Sequence, residues 1–490
     1  MEQVKQDVPR EAAGIADTPP TCANCLPEPF RLAFPFAIHS SADGFCGRIS
    51  AVRCAVRQFF CIQMTCDSRE FFKLFFRELE AKNIAYVILH SYQEFPDKIS
   101  SDIDYAVPDA DLPRLRKIQI DLAKRNGWAL VQTLQHGVFA FYAVLVNLNN
   151  PEENLKLDAC SNYARVRRQL VPEKVLLAKR VRYRDFFVPA PAAEFIYMLA
   201  KIFDAKNKSP EQYLPRLREL WQRDADSAQK HFTDLFGDTG RSLKEWFASP
   251  AKEWERLGQV MLARHHFGPL LLLRETARLV RRAFQPAGLC LAVMGSDGAG
   301  KSTLLARLQI LLEPCFRQQK MLHFRPAIFE KRKTGGAVTD PHGQKPRGWL
   351  SSWLKVGYYF LDHWIGWFWV VLPGKIRSTL IIFDRNFDDV LVDQKRYRLQ
   401  GSGMLVKILR KLLPQADRVF VLSAPAEILR QRKPELPLPE LERQQQILQE
   451  LASSGGRYRL VSAEAAPEDV ARTVWLDVVS LLAQREERRG

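Results

Sequence analysis

The chain has 490 residues, 47% hydrophobic and 26% charged, a composition that excludes wholesale disorder and fibrous repeats and a length that fits about two to four domains. Its formal net charge of +17 points to anionic partners: nucleic acid, anionic lipid or nucleotide phosphates. None of that excess lies in residues 1–63, where basic and acidic residues cancel; +7 falls in residues 64–284 and +10 in residues 285–490.

Six of the nine cysteines, Cys22, Cys25, Cys46, Cys54, Cys61 and Cys66, precede position 67. Cys22 and Cys25 form a CxxC without the second pair or the His pair that zinc requires, and a disulfide framework suits a short secreted domain rather than this chain. A charged-then-apolar signal segment is missing near the N-terminus. Residues 1–66 are therefore expected to be a poorly ordered extension, with Met64 as an alternative start. The expected compartment is cytoplasmic, with reduced thiols.

From Ser68, the spacing of Phe71, Phe72, Leu74, Phe75 and Leu79 predicts a helix capped by Ser68 and ended at Asn83. Ile84–Leu89 reads as a buried strand leading to His90-Ser91, a polar loop, and Asp102-Ile103-Asp104. Alternation in a strand puts Asp102 and Asp104 on one face and sends Ile103 to the core. Two adjacent carboxylates repel, and a divalent cation is the natural remedy. A helix at about Leu112–Arg125 and antiparallel strands at Trp128–Leu134, Gly137–Val146 and Asn154–Asp158 follow, with Asp158 closing the last and offering a third metal ligand.

Ser91, Asp102, Asp104 and Asp158 make residues 67–190 resemble the nucleotidyltransferase superfamily, although His90-Ser91 stands where that family has Gly-Gly or Gly-Ser. The resemblance implies a mixed α/β domain whose carboxylates hold Mg²⁺, which activates an acceptor hydroxyl and neutralises a nucleotide triphosphate. An edge-strand solubility role for Asp102 and Asp104 is the alternative. The basic run Arg165, Arg167, Arg168, Lys174, Lys179, Arg180, Arg182 and Arg184 fits either a solvated face or a polyphosphate-binding surface. Residues 191–284 read as a helical domain, with helices at Ala192–Phe203, Pro210–Asp224 and Trp254–His265.

The apolar strand Leu289–Met294 runs into Gly295-Ser296-Asp297-Gly298-Ala299-Gly300-Lys301-Ser302-Thr303 and a helix stopped near Pro314. This is G-x-x-x-x-G-K-[ST] between a strand and a helix. Its glycines let backbone N–H groups converge on phosphate oxygens, Lys301 reaches the β/γ phosphates, and Ser302 ligates Mg²⁺. Trp349–Leu372 is too broken by Lys355, Asp362 and His363 to cross a bilayer, which takes about 20 apolar residues. It reads as a core helix or as a helix touching a membrane surface or greasy substrate. Strands at Thr379–Phe383, ending in Asp384-Arg385, at Arg418–Leu422 and at Arg457–Val461 complete an α/β pattern closed by a helix from Pro467. Arg430 and Arg432, with Lys433, cluster at a helix end suited to a mobile lid.

The loop with its internal acid, Asp384-Arg385-Asn386-Phe387 and Arg325-Pro326 make residues 285–490 resemble thymidylate-kinase-like P-loop kinases, the Asp-Arg-aromatic element being one residue out of pattern. The resemblance implies a parallel sheet, ATP with Mg²⁺, in-line γ-phosphoryl transfer, catalytic roles for Lys301, Asp384, Arg385, Arg430 and Arg432, and acceptor binding by Arg325. The segment Lys331–Trp364 replaces a compact acceptor pocket, so thymidylate is not implied. The expected function is an ATP-dependent phosphotransferase acting on a nucleotide, sugar or glycan precursor, fused to a Mg²⁺-dependent nucleotidyltransferase-like domain. One alternative makes the first half an inactive binding module; another makes the chain an ATP-dependent nucleic-acid-binding regulator, against which the missing recognition motifs count. A homodimer and peripheral membrane contact are left open.

Overall fold

The computed structural model describes residues 66–99, 101–165, 167–204, 213–249, 251–263, 266–328 and 348–489. The CxxC at Cys22 and Cys25, the rest of the N-terminal extension before Cys66, and residues 329–347 lie outside them. The described residues belong to one compact unit, Ile62–Gly490. The described cysteines are free, and Cys66, Cys290 and Cys315 are buried.

In chain order, α1 (Ser68–Ala81) leads to β1 (Val87–Ile88), β2 (Ile103–Ala106), α2 (Leu112–Arg125), β3 (Trp128–Gly137), β4 (Ala140–Asn147) and β5 (Asn154–Cys160). Asp67, not Ser68, caps α1: its carboxylate accepts from the Glu70 N–H at 2.8 Å. Asn83 then turns the chain at φ 54°. The first sheet has the order β1-β2-β5-β4-β3, with β2 and β5 parallel and the other pairs antiparallel. The strand expected over Ile84–Leu89 shrinks to two paired residues because only Val87 and Ile88 find strand partners, on β2. Asp158 does not close its strand, which runs on to Cys160 against β2 and β4.

Two small hairpins follow, β6 (Tyr163–Arg165) with β7 (Arg168–Val171), then the one-turn α3 (Glu173–Leu176), then β8 (Arg180–Tyr183) with β9 (Phe186–Pro189). The helical region comprises α4 (Pro191–Asp204), α5 (Leu214–Arg223), α6 (Ala225–Phe236), α7 (Leu243–Ala248), α8 (Ala251–Ala263) and α9 (Pro269–Phe284). The nearly apolar α4 is its core, with Phe195, Ile196, Leu199 and Ala200 fully buried.

The second half runs β10 (Leu289–Gly295), α10 (Lys301–Leu311), β11 (Gln318–His323), α11 (Trp349–Gly366), a π-helical turn (Trp367–Val371), α12 (Leu372–Ile376), β12 (Thr379–Asp384), α13 (Asp389–Val392), α14 (Gly403–Leu412), β13 (Arg418–Ser423), α15 (Ala426–Arg432), α16 (Leu438–Ser453), β14 (Tyr458–Ser462) and α17 (Pro467–Arg489). Its sheet is parallel throughout, in the order β11-β12-β10-β13-β14. Such a sheet must be covered on both faces, so its central strands are continuous apolar runs; all seven residues of β10 are buried.

One stretch of chain serves two cores. Along β4, Ala143 and Leu145 face the core beneath α1 and α2, while Val144 and Val146 face the opposite way, into the core of the second half beside Trp475 and Val479 of α17. The alternation of a strand is the cause. Polar contacts reinforce this junction: Glu486, fully buried, lies 3.7 Å from Arg116 and 3.6 Å from Arg489, and Lys124 pairs with Glu487 at 3.0 Å. Trp349–Leu372 is helical as expected but is not a core helix: its inner face, including Val356 and Tyr359, is buried, while Trp349, Trp353, Leu354, Leu361, Trp364, Phe368 and Trp369 are exposed.

Candidate active site

The glycine loop leaves the C-terminal end of β10, the central strand of the parallel sheet, where the neighbouring strands are β12 and β13. That edge is where open α/β sheets bind ligands. Gly298, at φ 85°, is required twice over, since a Cβ there would also lie 2.7 Å from the Leu429 carbonyl. Gly300, at φ 80°, faces open space. The carbonyl of Leu429 and the side chain of Lys433 approaching Gly298 put the end of α15 against the loop, where the sequence predicts a lid.

The loop's charged residues are held in a network. Lys301, buried, donates to the carbonyls of Gly295 and Ser296, both at 2.8 Å, and stands 3.7 Å from Asp297. Burial, aided by the nearby Arg385, lowers its pKa to about 8. Asp297 accepts from Arg385 at 2.7 Å and also binds Arg396. Burial opposes its charge, but Lys301, Arg385 and Arg396 outweigh that and hold the carboxyl below its usual range. Arg385, in turn, reaches Asp389 at 3.0 Å, and Tyr397 donates to the same carboxylate at 2.8 Å. Ser296 accepts from Gln445 of α16, which also accepts from Ser423.

Asp384 closes β12. One of its oxygens faces His323 at 3.0 Å; the other, Oδ1, is buried without a hydrogen-bond partner among the described residues. Burial works against its charge, yet His323 and Arg385 keep the carboxyl below the usual range. Ser302, in the first turn of α10, is exposed; its hydroxyl and the orphaned Asp384 oxygen are hard-oxygen donors of the kind Mg²⁺ takes. Arg325 follows β11 and is seated on α11: it donates to the Tyr358 hydroxyl at 3.1 Å, lies 3.4 Å from the buried Asp362, and stacks on Tyr358 and Tyr359.

The two predicted lid arginines diverge. Arg432 donates to the Ala463 carbonyl at 2.8 Å and is tied to the loop after β14, whereas Arg430 is exposed at the end of α15. Lys433, whose charge acts on Asp297, stands nearer the loop. Sequence reasoning missed Arg396, Asp389 and Gln445; none belongs to a motif, and only the packing of α13 and α16 brings them in.

A cavity of about 1260 Å³ lies between the first sheet and the segment Glu313–Gln319 of the second half. Asp102, Asp104 and Asp158 all line it, with Asp104 directly opposite Asp158 in the β2–β5 register. The charge repulsion expected of these carboxylates is met by protein groups. Lys201 bonds Asp104 at 2.6 Å and His90 bonds it at 2.5 Å, and these partners outweigh burial to hold its carboxyl well below the usual range. His136 bonds Asp158 at 2.8 Å. Asp102, 3.4 Å from the Tyr142 hydroxyl, is pushed up by burial against the pull of Lys156. Among the described residues, no group of three or more His, Cys, Asp and Glu side chains is placed to hold a metal ion. Ser91, exposed at φ 56°, contacts His90 at 2.7 Å. The basic run divides: Arg165 and Arg167 line the cavity, while Arg182 pairs with Glu80 and Arg184 with Asp97.

No protein-family model matches the chain. It is similar to the thymidylate kinases of Xanthomonas campestris pv. campestris (strain B100), 27% identical over 141 residues, and Xanthomonas oryzae pv. oryzae (strain PXO99A), 28% identical over 146 residues. Each match covers 29% of this chain and 58% of the relative, so the chain spans less than two thirds of the relatives' length. The similarity is distant and partial, and the parallel five-stranded sheet is consistent with a P-loop fold.

Proposed function

We propose that residues 285–490 form a P-loop kinase that transfers the γ-phosphoryl group of ATP to a small-molecule acceptor such as a nucleotide, sugar or glycan precursor. The observation that carries this reading is the glycine loop at the end of the central parallel strand with the unpartnered Asp384 oxygen on the next strand. In this reading the backbone of Gly295–Thr303 cradles the phosphates, Lys301 exchanges its two carbonyl contacts for phosphate oxygens, and Arg325 receives an anionic part of the acceptor. Mg²⁺, held by Ser302 and by Asp384 through its water shell, would neutralise the β and γ phosphates when bound. Arg385, enclosed by Asp297 and Asp389, is a positioning residue that fixes the loop; the exposed Arg430 is the cation offered to the transferring group, and Lys433, paired with Glu435 at 3.0 Å, stands beside the loop.

The first half, residues 67–190 with the helical residues 191–284, is proposed to be a binding module of nucleotidyltransferase-like form. The Lys201 ammonium already seated on Asp104 and the hydrogen bond between His136 and Asp158 favour this over a metal-dependent transferase. Lys156, Lys201, Arg165, Arg167 and Arg317 around its cavity suit a phosphorylated ligand.

The test uses ATP labelled at the γ or the α phosphate against a pool of metabolites. Label moving from γ, and lost in Lys301→Ala, supports the kinase; unchanged transfer in that variant overturns it. Label moving from α, and lost in Asp102→Ala, would instead establish nucleotidyl transfer.

A further inference from the structure

We infer that the outer face formed by α11, the π-helical turn and α14 binds the surface of an anionic lipid bilayer. The observation is independent of the kinase reading. Leu350, Leu354, Gly357, Leu361, Trp364 and Phe368 succeed one another at alternating spacings of four and three, one stripe of a helix. Trp349, Trp353 and Trp369 flank it. Met404, Ile408 and Leu412 make a second stripe along α14. Trp364 donates its indole N–H to the Leu412 carbonyl at 3.1 Å and Trp353 reaches the Gly401 carbonyl at 3.4 Å, so the two stripes are edge to edge.

The large apolar groups of this face are open to solvent. Trp369 is 77% exposed, Met404 76%, Leu354 69% and Trp349 64%. Four of the ten tryptophans lie on it. Single exposed leucines are ordinary, but a contiguous patch of large apolar groups marks an interaction site.

Charge selects the occupant. Across α11, the turn, α12 and α14 the single acid is Asp362, which is fully buried and accepts the backbone N–H groups of Ala327 and Ile328. Lys407 and Lys411 are exposed on α14 beside Ile408 and Leu412, and Arg377 is exposed just after α12. Tryptophans at the rim of an apolar stripe, with lysines beside it and no exposed acid, match the boundary between headgroups and acyl chains, where indoles settle and lysine stems reach anionic headgroups. No helix among the described residues is long and apolar enough to cross a membrane, and the buried inner face of α11 keeps it on the protein, so the helix lies on the surface. That inner face also carries Tyr358 and Asp362, which seat Arg325, so the bilayer would lie directly behind the proposed acceptor side.

The experiment is sedimentation of the full chain with vesicles of phosphatidylcholine alone or with 30% phosphatidylglycerol. Expected is binding to the anionic vesicles only. Lys407→Ala with Lys411→Ala should weaken it roughly 25-fold, about fivefold for each charge near an anionic surface. Trp349→Ser with Trp369→Ser should abolish it; both positions are exposed, so the unchanged far-ultraviolet spectrum of the variant serves as its control. Failure of the wild type to sediment, or equal sedimentation of wild type and both variants, overturns the inference. A concentration-dependent dimer that dissociates in the tryptophan variant, with no vesicle binding, assigns the face to a second copy and overturns it as well. ATP hydrolysis or transfer by either variant is not needed for this outcome, so a failed kinase reading leaves the test intact.

Discussion

Replacing Asp297 with asparagine separates two roles that the glycine loop's acid could play. The sequence pattern puts it among nucleotide-binding residues, whereas in the fold its two oxygens are taken by Arg385 and Arg396. The side chain is 10% exposed, so its charge is poorly screened. Breaking a buried ion pair costs about 3–5 kcal/mol because the partner charge is left behind. Here Arg385 keeps Asp389, and Arg396 keeps Asp393 at 3.4 Å, so the low end, about 3 kcal/mol, is expected. With a urea m-value of about 3 kcal/mol/M, the unfolding midpoint should fall by roughly 1 M at pH 7. The pH dependence follows from the depressed carboxyl. Its stabilisation is full above the unfolded value of about 3.9 and is lost as pH falls through the lower folded value, so wild type and variant should converge only in acid. Urea unfolding at pH 7 and at acid pH, with nucleotide binding by calorimetry, is the assay. An Asp297→Asn variant as stable as wild type at pH 7 but unable to bind nucleotide would refute the anchoring argument.

Gly298→Ala should cost about 2–4 kcal/mol, combining left-handed strain with displacement of the Leu429 carbonyl, whereas Gly300→Ala should cost only the strain, about 1–2 kcal/mol; thermal melts in the reverse order would contradict the packing of α15 on the loop. Glu486→Gln should destabilise by about 3–5 kcal/mol in urea, since Arg116, Arg485 and Arg489 would lose their buried counter-charge, and adding Arg116→Met should recover part of that loss. Lys201→Met should weaken pyrophosphate binding to the first half at least tenfold by calorimetry, on the order of one charge-assisted hydrogen bond; unchanged affinity would remove Lys201 from the proposed ligand site.

Local chemistry was legible where one residue type has one physical use. The glycine loop and its flanking strand and helix are determined by backbone conformations that few residues reach, and the apolar runs at β10, β12 and β13 admit no other fate in a parallel sheet. The helix over Leu112–Arg125 was readable from its period and ends as expected. What could not be read was partnership across the chain. Lys201 stands 97 residues from Asp104, and Arg396 stands 99 from Asp297. Neither spacing is periodic, so the expectation of a cation bridging the carboxylates was reasonable, and the answer, an ammonium from α4, required the fold. The long Trp-rich helix failed for a related reason: hydrophobicity shows that a face is apolar, not whether anything covers it.

The excess charge illustrates the same limit. Seen as a total, +17 suits a polyanion laid across a basic surface. In three dimensions the charge divides by use. Arg182 and Arg184 are spent on Glu80 and Asp97, and Arg116 and Arg489 on the buried Glu486 that joins the two halves. Arg385 and Arg396 are held by the loop's own acid. Other cations stand elsewhere: Arg167 and Arg317 line one cavity, Arg430 is exposed at the end of α15, and Lys407 and Lys411 are exposed on the apolar face. Positive charge gathered at separate places suits separate anionic contacts, whereas a continuous nucleic-acid track would need it in a row.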